Sequence, residues 1–322
     1  MFTPMGSSMS QPALLHTHTS YLSLADLAKL GLLAAIWGGS FIAMRIAVPE
    51  LGTLMSANLR ILLAAPVLLL FASICRIELN WKHNYKAYFL SGLFGAALPF
   101  ALLSYAANIL PAALLALLNA TCPLFGAIFS AMWLAEPINL RKLIGLVLGI
   151  VGVWLLAGSG AILKCSPTTL AISACLLSPA CFALSGVIIK HHTCIYRTKK
   201  PLEPLAMATG AMSAACLILL PSLPFSIPTH LPSVNAVTAI IALALFPSAF
   251  AQLLFIPLIA RIGPTRAMSV SFLIPLFSML WGVIFLHETV GFSYILGGLV
   301  VLLATTLVIY PPQKPFTRSH PI

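Results

Sequence analysis

Side chains able to do chemistry are scarce in this chain, and their spacing excludes most reactions. The six carboxylates are Asp26, Glu50, Glu78, Glu136, Glu203 and Glu288, so the aspartate pair of an intramembrane aspartyl protease cannot be assembled. Seven cysteines (Cys75, Cys122, Cys165, Cys175, Cys181, Cys194 and Cys216) form no C-x-x-C pair, and their odd count argues against a complete set of internal disulfides. His191, His192 and Cys194 lie close together. A metal site needs three or four ligands, however, and no second ligand cluster exists. They read as loop residues, and neither a metal nor any other cofactor is expected. Ser104 and Ser248 could be nucleophiles, but no His or Asp shares their depth in the apolar stretches that hold them, so an enzyme is not expected.

One charge stands out. Arg60 lies inside an apolar stretch, where an arginine at the bilayer centre costs at least about 2.5–3.5 kcal/mol and usually faces a cavity or a partner. It sits roughly five residues, or about 7–8 Å, from the outer end of its stretch, near enough to snorkel. Two roles are therefore open: a structural or gating one, and binding of a substrate carboxylate. Trp37 lies beside Gly38 and Gly39, which allow close approach of a neighbouring helix, and is either packing or pocket wall. Among the polar residues at depth, Ser40, Ser104, Tyr105, Ser185 and Ser248 carry hydroxyls, which often only bond a carbonyl of their own helix. Asn119 and Gln252 are costlier to bury and rank above the serines. Trp281 is an interfacial anchor or a pocket residue.

The elements that must position these residues follow from composition. Of 322 residues 60% are hydrophobic and 7% charged, and the mean hydropathy is +1.05. Soluble domains are nearer half apolar and a quarter charged, so a polytopic helical membrane protein is expected. Apolar stretches near the ~20 residues a span needs recur at 27–47, 55–75, 86–107, 112–134, 140–160, 169–189, 205–224, 236–260, 266–286 and 290–310. That predicts ten transmembrane helices. Pro49, Glu78–Asn80, Pro111, Glu136–Pro137, Pro167, Pro228–Pro232, Gly263–Pro264 and Pro311–Pro312 punctuate them. Residues 1–26 form a polar tail without the basic lead of a cleavable signal, and 311–322 form a second tail.

The net charge of +11 includes no long basic run, so nucleic acid is not expected as a partner. Fourteen of the 17 basic residues fall on the side of the N-terminus, against Arg45 and Lys164 opposite. The positive-inside rule then puts both termini in the cytoplasm. Glu136 and Glu288 end their stretches at opposite faces, where capping or loop pairing accounts for them.

The two halves repeat. Pro123-Leu124-Phe125 falls on Pro275-Leu276-Phe277, Glu136 on Glu288 and Gly145 on Gly297 at an offset of 152. Ser40 falls on Ser185 and Arg45 on Lys190 at 145, and Pro99 on Pro247 at 148. With five spans in each half the second copy must enter with opposite polarity, as in the inverted repeats of secondary transporters, which bind substrate near the midplane. The prolines thus come as matched pairs, Pro99 with Pro247 and Pro123 with Pro275. Each removes a backbone hydrogen bond and favours a kink, suited to rocking and to lining a cavity with free carbonyls.

Trp37-Gly38-Gly39-Ser40-Phe41 with Arg45 resembles the first helix of EamA-like members of the drug/metabolite transporter superfamily, and Arg60 is similar to the arginine they usually carry in the second. Pro123, Trp133-Leu134-Ala135-Glu136 and Arg141-Lys142-Leu143-Ile144-Gly145 resemble the family's fourth-to-fifth helix junction. Pro275, Leu286-His287-Glu288 and Gly297-Gly298 resemble the same junction in the second copy. The second copy departs at its start, where Phe182-Ala183-Leu184-Ser185 lacks the tryptophan and glycines. The resemblance covers roughly 27–310. It implies two inverted five-helix repeats (27–160 and 161–310), a central cavity and alternating access, usually for export of amino acids or related metabolites.

The expected function is a secondary transporter of a small metabolite in a lipid bilayer, fitting a bacterial inner membrane, with no ATPase subunit implied. The alternative is a multidrug or lipophilic-cation exporter of the same superfamily, which the lack of a carboxylate at midplane counts against. Candidate substrate-binding residues are Trp37, Ser40, Arg60, Tyr105, Asn119 and Gln252. Candidate kink or gating residues are Pro99, Pro123, Pro247 and Pro275.

Overall fold

The computed structural model describes residues 23–134, 139–157, 167–194, 203–262 and 270–309. Among them every regular element is helical, as expected where lipid offers no hydrogen bonds and each apolar segment must satisfy its own backbone. Helix α1 is Leu24–Leu51, α2 Thr53–Ile74, and α3 runs from Trp81 to Ala107 through a π-helical turn at Leu93–Ala97. Helix α4 is made of Ala112–Asn119 and Cys122–Leu134, with a break between; α5 is Leu140–Ala157 and α6 Pro167–Cys194. Helix α7 is Pro204–Leu219, prolonged by a tighter turn at Leu220–Phe225. Helix α8 combines Val234–Leu243, a π-helical stretch at Ala244–Phe250 and Ala251–Ile262. Helices α9 (Val270–Leu286) and α10 (Phe292–Ile309) follow. Seven of these stretches are long and apolar enough to cross a bilayer, and Leu273–Leu286 and Phe292–Ala304 are shorter apolar helices.

The helix ends have local causes. Ser23 and Asp26 open α1 with a reciprocal capping box, each side chain taking the other's backbone N–H. Pro111 precedes α4 and Ser233 caps α8. Pro49, expected between spans, instead lies inside α1. The turn is made three residues later by Gly52, whose φ of 79° only glycine adopts freely, and α2 begins at once.

Packing crosses from one half of the sequence to the other. Helix α1 lies against α9 and α8, α2 against α7 and α8, α3 against α7, and α5 along α10. The α1–α9 contact depends on Gly38, where a Cβ would come within 2.9 Å of both the Phe277 Cβ and the Ser278 backbone nitrogen. The neighbouring Gly39 has only Trp281 nearby, at 3.8 Å. Of the two glycines expected to admit a close helix, one does.

Leu115, Leu117 and Leu118 of α4 are fully buried at the centre with Met44 and Val48 of α1. Around the outside, Leu70, Ile150, Trp154, Phe285 and Leu299 are exposed. Large apolar side chains exposed around a helical bundle are what an integral membrane protein presents to lipid.

Carboxylates tie the halves together at one end of the bundle. Glu288, just past α9, accepts from the N–H groups of Ala112 and Ala113 at the start of α4, at 2.9 and 3.4 Å, and lies 3.9 Å from Arg45 Nε. Glu50, at the end of α1, accepts from the Ser233 N–H and hydroxyl at the start of α8, at 2.6 and 2.7 Å. Helix N-termini favour anions through their free N–H groups and dipole. Capping is therefore what Glu288 does, but of a helix in the opposite half. Glu136 lies outside the described residues.

Candidate functional site

A cavity of about 300 Å³ lies between the halves, and Trp37, Ser40, Arg60, Asn119, Pro247 and Gln252 all stand on its wall. They arrive from α1, α2, α4 and α8, so residues up to 215 positions apart share one space. Tyr105 does not line it. It sits on α3 with 36% of its surface exposed; of that helix, Gly95, Phe100 and Leu103 face inward instead. A larger hollow of about 780 Å³ opens at the periphery between α1, α8 and α9. Among the described residues no charged side chain lines it, so the smaller cavity is the one with means to select a ligand. Trp281 belongs to that outer hollow, where its indole donates to the Ala35 carbonyl at 3.1 Å.

Arg60 dominates the inner cavity. It is 6% exposed. Its Nε donates to Ser248 Oγ at 2.8 Å, Nη1 reaches Met44 Sδ at 3.9 Å, and Cζ lies 3.7 Å from the centroid of the Phe100 ring. Among the described residues no carboxylate pairs with it; the ion pair found there is Arg45 with Glu288. A guanidinium has five N–H donors, so three are left without an acceptor among the described residues. Snorkelling is not how this arginine is accommodated. It is held inside by aromatic, hydroxyl and thioether contacts, and no carboxylate among the described residues neutralises it.

Ser248 has a second bond that fixes its polarity. Its hydroxyl donates to the Leu243 carbonyl at 3.0 Å and accepts from Arg60. Leu243 is four residues before Pro247, so this is the carbonyl whose α-helical donor would have been the missing proline N–H. The Pro247 carbonyl in turn accepts from the Trp37 indole at 3.1 Å. The π-helical stretch of α8 thereby touches α1 and α2 at once.

The matched prolines behave differently as pairs. Pro99 follows the π-helical turn of α3 and Pro247 sits inside that of α8, where widening the helix relieves the clash of a proline ring with the preceding turn. Both members of this pair thus lie at π-helical turns. In the other pair, Pro123 is in the first turn after the break in α4, whereas Pro275 lies within an α9 that runs on as one helix. Neither lines the cavity; Pro99 is buried beside it.

Other polar groups divide by whether their bonds are already made. The Ser40 hydroxyl donates to the Trp37 carbonyl at 2.6 Å and that of Thr121 to Leu118 at 2.6 Å, the self-satisfied pattern expected of serines and threonines in membrane helices. Asn119 Oδ1 is buried and has no hydrogen-bond partner among the described residues. Residues overlooked from sequence are Met44, Phe100, Phe182, Met212 and Ser271 on the cavity wall. Two of them carry a usable signal: Phe100 is 148 positions before Ser248 and Ser271 is 152 after Asn119, the offsets that align the repeats.

The fold and cavity define a helical membrane transporter built from two repeats. The sequence profile of the EamA-like transporter family matches residues 28–158 and again 169–310, and the chain belongs to that family. It is 28% identical over 284 residues to the uncharacterized transporter YvbV of Bacillus subtilis (strain 168), covering 87% of this chain and 90% of that one. It is 29% identical over 291 residues to the uncharacterized inner membrane transporter YedA of Escherichia coli (strain K12), again covering 87% and 90%. A solved crystal structure with 19% identity superposes with a TM-score of 0.59, covering 88% of this chain and 96% of the other, which concerns the fold alone.

Proposed function

We propose that the protein is a secondary transporter that exports a small carboxylate-bearing metabolite, an amino acid or a related compound, by alternating access around the Arg60 cavity. Its ten helices form two inverted repeats, 27–160 and 161–310, with both termini in the cytoplasm of a bacterial inner membrane. The observation that carries this reading is the buried guanidinium, unpaired among the described residues and with three donors free, on the wall of a cavity of about 300 Å³. Burying an ion costs several kcal/mol unless it is paired, and a carboxylate entering the cavity supplies the missing partner. Asn119 Oδ1, an acceptor without a donor, suits the ammonium of a zwitterion. Closure of the same end of the bundle by Glu288 and Glu50, each capping a helix of the opposite half, supports a cavity that is opened by parting the repeats. Efflux of lipophilic cations is disfavoured by the positive charge on the cavity wall.

The test is counterflow in proteoliposomes preloaded with a labelled panel of amino acids and related metabolites, comparing the wild type with Arg60→Ala. Selective exchange by the wild type, abolished for acids in the folded variant, is the expected result. Absence of exchange for every panel member, with or without a proton gradient, overturns the amino-acid reading.

A further inference from the structure

Of the three residues that hold Arg60, Phe100 and Ser248 are equivalent in the repeat. Phe100 directly follows Pro99 and Ser248 directly follows Pro247, at the same offset of 148 that aligns the prolines. One presents a ring face to the guanidinium at 3.7 Å, and the other takes Nε at 2.8 Å. Arg60 is thus a contact that the interrupted helices of both halves share.

We infer that Ser248 is a positioning residue for Arg60 that makes the cavity selective for carboxylates. A hydroxyl has one proton, and that of Ser248 is committed to the Leu243 carbonyl. Toward Arg60 it can therefore only accept, the one kind of contact a guanidinium can use. With Nε held by Ser248 and the plane of the group set by Phe100, rotation about the side chain is blocked and the Nη edge is what remains for a ligand. That edge matches the two oxygens of a carboxylate in a fork geometry. A guanidinium free to turn would still attract any anion, but would discriminate poorly between a carboxylate and other polar groups. The proline at 247 favours the arrangement, because no α-helical N–H reaches the Leu243 carbonyl from that position and the Ser248 hydroxyl donates to it as well. This assignment rests on the transport reading for its consequence and on the geometry alone for the positioning.

Two measurements on the full chain in lipid nanodiscs and proteoliposomes separate these parts. In the first, ¹⁵N-arginine-labelled protein is examined by NMR, with the Arg60 side-chain signals identified by their loss in Arg60→Lys. The expected result is resolved Nη protons in the wild type, collapse to an averaged signal in Ser248→Ala, and recovery in Ser248→Thr. Should Ser248→Ala not fold, Ser248→Cys provides the same comparison with a weak acceptor. In the second, counterflow of labelled L-amino acids is compared with that of their amides. The preference for acid over amide is expected to fall about tenfold in Ser248→Ala, mainly through KM, and to return in Ser248→Thr. An unchanged Arg60 spectrum in Ser248→Ala overturns the positioning role whatever the transport result. A collapsed spectrum with an unchanged acid-to-amide ratio overturns the selectivity role and leaves Ser248 as a support of the π-helical stretch. No exchange of any acid by the wild type overturns carboxylate selectivity together with the amino-acid reading, while the spectrum still decides the positioning.

Discussion

Glu288 accepts the Ala112 backbone N–H at 2.9 Å across 176 positions of sequence. The residue that ends α9 in the second half therefore starts α4 in the first. Its second oxygen takes the Ala113 N–H, and Arg45 lies at 3.9 Å with its own Nη1 donating to the Ala107 carbonyl at 2.8 Å. Glu288→Ala strips this helix start of its acceptor and should lower stability by about 1–2 kcal/mol. Glu288→Gln keeps one acceptor oxygen and should lose about half as much. Thermal unfolding in one detergent, read by the loss of monodisperse protein, checks the order; equal losses would mean that the cap is not what holds α4.

Arg60 should separate stability from function. Because no carboxylate among the described residues neutralises it, Arg60→Met removes an uncompensated buried charge along with the bonds to Ser248 and Met44 and one ring contact. Replacing buried ions by apolar groups of similar size is often neutral or stabilising. The variant is expected within about 1 kcal/mol of the wild type or above it, while exchange of acids falls at least about tenfold. A large loss of stability would place Arg60 in a structural role.

Asn119→Ala is expected to leave stability nearly unchanged, since the Oδ1 atom has no bond to lose. If that oxygen receives a substrate ammonium, the variant should lose its preference for amino acids over their N-acetyl derivatives. Competition by the two compound types against a transported labelled acid measures this directly.

Gly38 and Gly39 should respond in opposite ways. At Gly38 a methyl group would stand 2.9 Å from the Ser278 backbone nitrogen, where nothing can rotate away. Gly38→Ala should cost about 1–3 kcal/mol by pushing α1 from α9. At Gly39 the nearest atom is 3.8 Å away, so Gly39→Ala should be tolerated. Melting temperatures of the two variants decide it, and equal values would contradict the α1–α9 packing.

Much of the architecture is legible because it is local. The stretch 112–134 becomes α4, 140–160 contains α5, and 205–224 nearly matches Pro204–Phe225, since apolar length and flanking prolines act within each segment. The boundary at Pro49 was legible only in part. A proline predicts an interruption, but α1 runs two residues past it and ends only at the turn made by Gly52. Tyr105 shows a second kind of failure. Span position gives a side chain's depth, whereas its direction around α3 depends on which neighbours that helix meets.

Composition, charge asymmetry and the doubled Pro-Leu-Phe pattern by themselves determine a membrane chain in two matched halves, with Arg60, Asn119 and Gln252 at depth. These are properties of short segments and of their order, and solvent alone is enough to impose them. Only the tertiary structure decides that Arg60 meets Ser248, 188 positions away, and Phe100 on its other side. That meeting requires α2, α3 and α8 to converge. Their convergence is set by close packing between the halves, where a glycine or an interrupted turn at one contact decides which faces turn inward.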